Sequence, residues 1–121
     1  MSTLETKENY LETIHILSIS KEKVKSIDVA NYLKFSRATV SIVLKKLEKE
    51  GCLFTEKKYL HLTNKGLKIA KQIYERHEYI ANLLIKLGVD KKTAYIDSCK
   101  IEHDLSKKSF NAIKKATNKF W

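Results

Sequence analysis

Proline is absent from the 121 residues, and glycine occurs three times, at Gly51, Gly66 and Gly88. So few breakers argue against a loop-rich chain and leave mostly helix with short connections. Cysteine is nearly as scarce. Cys52 and Cys99 cannot build a disulfide framework, so a reducing, cytoplasmic location is expected. No run of about 18 apolar residues occurs; the densest stretch, Tyr79 to Ile85, is broken by Asn82, so no membrane partner is expected. The first residues lack the basic and apolar regions of a secretory signal. Acidic residues are in deficit, 14 against 24 Lys and Arg, for a formal net charge of +10. That excess favours nucleic acid or another polyanion as partner, though it fixes no fold.

What is present fits a globular chain, 43% hydrophobic and 31% charged, long enough for one domain or two small lobes. Residues 1–63 carry 11 basic and 8 acidic side chains, and residues 64–121 carry 13 and 6. Within the first half, Lys34 to Lys58 still holds 7 basic against 3 acidic, a local basic stripe. Much of the remaining Lys reads as solvated helix surface.

Asn9 to Ser20 reads as a first helix with Tyr10, Leu11, Ile14 and Leu17 on one face. After the charged Lys21–Lys25 connection, Ser26 is expected to cap a short helix with Val29, Ala30 and Leu33 inward. Lys34-Phe35 makes a tight turn, and Ser36 caps a helix carrying Val40, Val43, Leu44 and Leu47, ended by Gly51. Cys52–Thr55 and Tyr59–Leu62 flank Glu56-Lys57-Lys58 and read as a β-hairpin, although its tip lacks Asn-Gly. Thr63 then caps a long helix to about Leu87, with Leu67, Ala70, Ile73, Tyr74, Ala81, Leu84 and Leu87 apolar. Asp90 caps a helix to about His103, and Ser106 opens a last one toward Trp121.

Short helix, tight turn, capped helix and hairpin follow the order of a winged helix-turn-helix, whose second helix enters the DNA major groove. Ser36, Arg37, Thr39 and Ser41 sit at the start of that helix, where side chains reach base edges. Arg37 is the best placed to pair with guanine. Lys45 and Lys46 further along, and Lys57 and Lys58 on the hairpin tip, suit phosphates.

Cys99, Glu102 and His103 stand at helix positions i, i+3 and i+4, so thiolate, carboxylate and imidazole share a face. Such a mixture suits a borderline divalent cation such as Fe²⁺, Zn²⁺ or Co²⁺ rather than Mg²⁺ or Ca²⁺. His77 lies on the apolar face of the long helix, turned toward neighbouring helices. On pattern alone Glu12, between Leu11 and Ile14, reads as a surface carboxylate bordering the core, with Asn9 one turn before it.

Over roughly residues 5–113 the chain resembles the DtxR/MntR family of metal-dependent transcriptional repressors. The resemblance rests on Asn9-Tyr-Leu-Glu12-Thr-Ile, Ile27-Asp-Val-Ala-Asn-Tyr-Leu33, Ser36-Arg-Ala-Thr-Val-Ser41 and Leu47-Glu-Lys-Glu-Gly51. It continues through Leu62-Thr-Asn-Lys-Gly66, Arg76-His77-Glu and Cys99-Lys-Ile-Glu102-His103-Asp-Leu-Ser106. The Leu-Thr-x-x-Gly element is shared with other winged-helix families. Cys-x-x-Glu-His-x-x-Ser with an upstream Arg-His is far more specific. The resemblance implies metal ligands at Glu12, His77, Cys99, Glu102 and His103, with Asn9 a further candidate. Cys99 is similar to the iron-responsive branch, so Fe²⁺ is favoured over Mn²⁺.

The chain departs from the family in three ways. Asn9 stands where Met or Asp is usual and offers only an amide oxygen. The glutamate and histidine partners of the iron-type ancillary site fall on Ala81 and Tyr95, so one metal per chain is expected. The SH3-like domain of the larger iron regulators is not expected within these 121 residues. The expected architecture is therefore mostly α: a winged helix-turn-helix DNA-binding lobe over residues 1–63, then a small all-helical metal-binding and dimerisation lobe over 64–121. The expected function is a metal-dependent repressor of metal-uptake genes, binding a palindromic operator as a homodimer and taking no small organic substrate. Ile80, Leu83, Leu84, Ile101, Leu105, Phe110 and Ile113 supply the apolar residues of that interface. The alternatives are a metal-independent regulator of MarR type and, from a different class, a Zn²⁺ hydrolase using Cys99, Glu102 and His103. No second acid/base pair or activated nucleophile supports the hydrolase.

Overall fold

Helix-capping side chains punctuate the fold. A computed structural model describes residues 3–118, and the end of the last helix toward Trp121 lies outside them. The order is α1 (Thr3–Ser20), α2 (Ser26–Leu33), α3 (Arg37–Lys49), β1 (Leu53–Glu56), β2 (Tyr59–Leu62), α4 (Asn64–Lys86), α5 (Lys91–Asp104) and α6 (Lys107–Asn118). The chain divides into two compact units, Met1–Gln72 and Ile73–Trp121, with the division inside α4.

The expected caps at Ser36, Thr63, Asp90 and Ser106 are all present. Each side-chain oxygen accepts a backbone N–H three residues on, from Thr39, Gly66, Thr93 and Ser109 at 3.2, 3.2, 2.9 and 3.1 Å. Ser26 differs: it is the first helical residue of α2, and Lys25 is the N-cap. The Asp28 carboxylate reaches back to the Lys25 N–H at 2.8 Å, which draws the chain into helix one residue early. The first helix also begins before Asn9. The segment from Thr3 lacks an apolar stripe, but Glu5 in its first turn complements the helix dipole, and Lys7 pairs with Glu50 at 3.6 Å.

In the first unit, Tyr10, Leu11 and Ile14 of α1, Val29 and Ala30 of α2, and Val40, Leu44 and Leu47 of α3 pack with Cys52, Leu53, Leu60 and Ala70 into one core. The strands pair antiparallel, Leu53 opposite Leu62 and Glu56 opposite Tyr59. The strand begins at Leu53 rather than Cys52, and the tip is two residues rather than three. Lys57 and Lys58 both have positive φ, 52° and 71°, the conformation of a two-residue hairpin turn.

In the second unit, Ala94 and Ser98 of α5 and Phe110 of α6 are buried. Arg76 donates to the Leu105 carbonyl, and its guanidinium lies 5.2 Å from the Phe110 ring. Tyr79 meets the same ring edge-on at 5.7 Å. Ile80 and Phe110, expected at an intermolecular face, are thus 4% and 6% exposed within the chain. Leu87, expected on the apolar face of α4, lies beyond its last residue and is exposed, because the helix closes through Gly88 at φ 104°. No helix among the described residues is long and apolar enough to cross a membrane.

Candidate functional site

In the second unit, α4 contributes His77, and α5 contributes Cys99, Glu102 and His103. One turn of α5 separates Cys99 from Glu102 and His103, which explains their common face. Ligand atoms of His77, Cys99 and Glu102 all lie within 4.8 Å of one another. Glu102 is fully buried. Its Oε2 is 3.3 Å from His77 Nδ1, and its Oε1 is 3.3 Å from His103 Nε2. Among the described residues neither carboxylate oxygen accepts a hydrogen bond of proper geometry. Burying a carboxylate in that state is costly. Two imidazole nitrogens and a thiol converging on it form a donor set that a divalent cation fits.

Cys99 is half-buried. Hydrogen bonds from His103 and then His77 favour its thiolate and bring its pKa from 9 to about 7, against the opposing effect of burial. The thiol is therefore close to the ligating form at neutral pH. Ser98, one residue earlier, is buried and donates its hydroxyl proton to the His77 carbonyl, joining α5 to α4. Sequence reasoning missed Ser98, since a serine beside a candidate ligand carries no distinguishing pattern. Tyr95 donates to Glu78 at 2.8 Å and lies 5.5 Å from the His77 ring.

Asn9 and Glu12 belong to α1 in the first unit. Glu12 is only 3% exposed, which corrects its reading as a surface carboxylate. Thr13 is also buried, and its hydroxyl bonds the Asn9 carbonyl at 2.7 Å, so this part of α1 is enclosed although polar.

The eight residues expected to meet DNA (Ser36, Arg37, Thr39, Ser41, Lys45, Lys46, Lys57 and Lys58) are all exposed. The first six lie on α3 or at its cap, and the other two form the hairpin tip. Sequence reasoning passed over Ile42, which is 70% exposed on α3. The signal was available: Val40, Val43, Leu44 and Leu47 fix the inward face, and Ile42 is off it.

A winged helix joined to a helical unit with a buried, cation-fitted cluster defines a metal-regulated DNA-binding protein. Residues 2–62 match the family described as "Iron dependent repressor, N-terminal DNA binding domain", and residues 63–120 match "Iron dependent repressor, metal binding and dimerisation domain". The chain is 36% identical over 107 residues to the HTH-type transcriptional regulator MntR of Lysinibacillus sphaericus, covering 88% of this chain and 77% of that protein. Its fold is similar to the crystal structure of the metal-dependent transcriptional regulator MtsR (TM-score 0.84, 26% identity). It is also similar to that of the manganese regulator SloR (TM-score 0.79, 29% identity). In both cases 93% of this chain is covered, and it spans about half the length of the solved chain, 53%. The chain belongs to the DtxR/MntR family of metal-dependent transcriptional regulators, which bind DNA and dimerise and are not enzymes.

Proposed function

We propose that this chain is a homodimeric repressor of metal-uptake genes that binds a palindromic operator when loaded with one divalent ion per chain, Fe²⁺ in preference to Mn²⁺. The observation that carries the reading is the cluster of His77, Cys99 and His103 around the buried Glu102 carboxylate. We assign these four as ligands, with Glu12 as the ligand from the first unit and Asn9 as a neutral donor one turn away. Residues 1–63 form the DNA-binding part and 64–121 the metal-binding and dimerisation part. A divalent ion held by ligands from both parts would offset the buried charge of Glu102 and tie α1 to the second unit.

The protein's share of the switch is differential affinity: ligands must be placed better in the DNA-competent arrangement than in any other. A coupling of ~1–3 kcal/mol, within reach of one coordination site, changes operator affinity about 5–150-fold. In a two-fold dimer the linkage would set two copies of α3 about 34 Å apart, one turn of DNA. Ser36, Arg37, Thr39 and Ser41 then face base edges, while Lys45, Lys46, Lys57 and Lys58 take phosphates. The preference for Fe²⁺ rests on the softness of the Cys99 thiolate. Against it stands SloR, a manganese regulator.

Thermal unfolding under anaerobic conditions, with and without Fe²⁺, Mn²⁺, Co²⁺ and Zn²⁺, tests the reading. Ligand at about 100 times its Kd adds ~2.7 kcal/mol, several degrees for a domain of this size. The rise is expected in wild type and is lost in both Glu102→Gln and Cys99→Ala. A larger rise with Mn²⁺ than with Fe²⁺ would reverse the assigned preference. No rise with any ion would leave a metal-independent regulator.

A further inference from the structure

The outward face of α3 is not purely polar. Ala38, Ser41, Ile42 and Lys45 follow the i, i+3, i+4, i+7 spacing of one helix face, and all four are exposed. Ile42, at 70%, is the most exposed large hydrophobic side chain among the described residues. The polar groups at the start of the helix are partly committed elsewhere. Ser36 Oγ accepts the Thr39 N–H at 3.2 Å and donates to Thr39 Oγ1 at 2.9 Å, closing the cap. Toward the wing, Glu48 accepts the Thr55 N–H at 3.1 Å. Ile42 takes no part in these bonds and stands next to Ser41 on the exposed face.

An isoleucine in a helix is held near one χ1 rotamer, so Ile42 is a stiff apolar knob rather than an adaptable chain. Its charged neighbours, Arg37, Lys45 and Lys46, favour a polyanion over an apolar protein surface as what covers it. Among the four bases, only thymine presents an apolar group, its C5-methyl, at the major-groove edge.

We propose that Ile42 is a specificity-determining residue that packs on the C5-methyl of one thymine in each operator half-site. This rests on the DNA-binding reading above and adds a base identity to it.

The test takes the metal-loaded full chain, an operator selected from random duplexes, and a scan in which each thymine is replaced singly by deoxyuridine, which removes only the methyl. Wild type is expected to lose about fourfold in affinity at one thymine per half-site, the value of one buried carbon group. Ile42→Ala should bind the thymine operator more weakly and show no loss at that position. Its melting temperature should stay near wild type, because the side chain lies outside the core. A flat scan in wild type overturns the proposal while leaving DNA binding intact, and so does a loss at the same thymine that persists in Ile42→Ala. Failure to select or bind any duplex overturns the DNA-binding reading itself, and the base assignment with it.

Discussion

Gly66 has the least room of any glycine in the chain. A Cβ built there would stand 1.9 Å from the Cys52 carbonyl oxygen, a backbone atom that cannot swing away. That carbonyl accepts the Thr63 N–H at 3.1 Å, while the Thr63 hydroxyl donates to the Gly51 carbonyl at 2.6 Å. The Leu-Thr-x-x-Gly pattern is thus a packing joint in which the start of α4 presses on the chain entering β1. Gly66→Ala should lower the urea-unfolding free energy by about 3 kcal/mol, the upper range for overpacking. A change under about 1 kcal/mol would show that the joint yields. At Gly51 the reason for glycine differs: its φ is 79° and nothing crowds it.

Elements were legible where one residue both ended the apolar period and could cap. Ser36, Thr63, Asp90 and Ser106 qualify. Ser26 did not, because sequence alone does not tell a cap from a first helical residue when an acid two positions on can reach back. That acid, Asp28, is held below the usual carboxylate pKa first by the Lys21 ammonium at 2.9 Å and then by the Lys25 N–H. A carboxyl whose folded pKa is depressed contributes fully above its unfolded value, about 3.9, and the contribution fades as pH falls through the folded value. Asp28→Ala should therefore cost about 1 kcal/mol near neutrality. The gap to wild type should close in acid below about pH 4, a trend that urea melts at several pH values can follow.

The wing was read as a hairpin but with the wrong tip, since lysine is an unusual occupant of the left-handed region. Two consecutive lysines there cost about 1–2 kcal/mol each relative to residues at ease with positive φ. Lys57→Asn together with Lys58→Gly should raise the melting temperature by several degrees. The same pair should weaken operator binding and make its logarithmic salt slope shallower by about 0.9 for each phosphate left unneutralised. Higher stability with unchanged affinity would remove these lysines from the DNA interface.

At the scale of the whole molecule, the common face of Cys99, Glu102 and His103 on α5 was readable because helical spacing is rigid. The burial of Glu12 was not, because a single carboxylate beside apolar neighbours reads the same whether it borders a core or lies within one. Which apolar residues face outward was only partly readable. Ile80 and Phe110 are closed in, whereas Ile85, Leu87, Ile96 and Ile101 remain exposed in the second unit. That is much apolar surface for so small a unit to leave in water. Light scattering at micromolar concentration should give the mass of two chains, and Ile101→Glu should lower it toward one. A wild-type monomer would overturn the dimer.

The two cysteines differ in a way that has practical value. Cys52 has no exposed surface, while Cys99 is half-buried beside two imidazoles and ionises near neutrality. A thiol reagent added to the native chain should therefore modify one sulfur promptly and reach the other only when the first unit opens. The chain carries its own pair of chemical reporters, one for the state of the cluster and one for the fraction of molecules whose core has come apart.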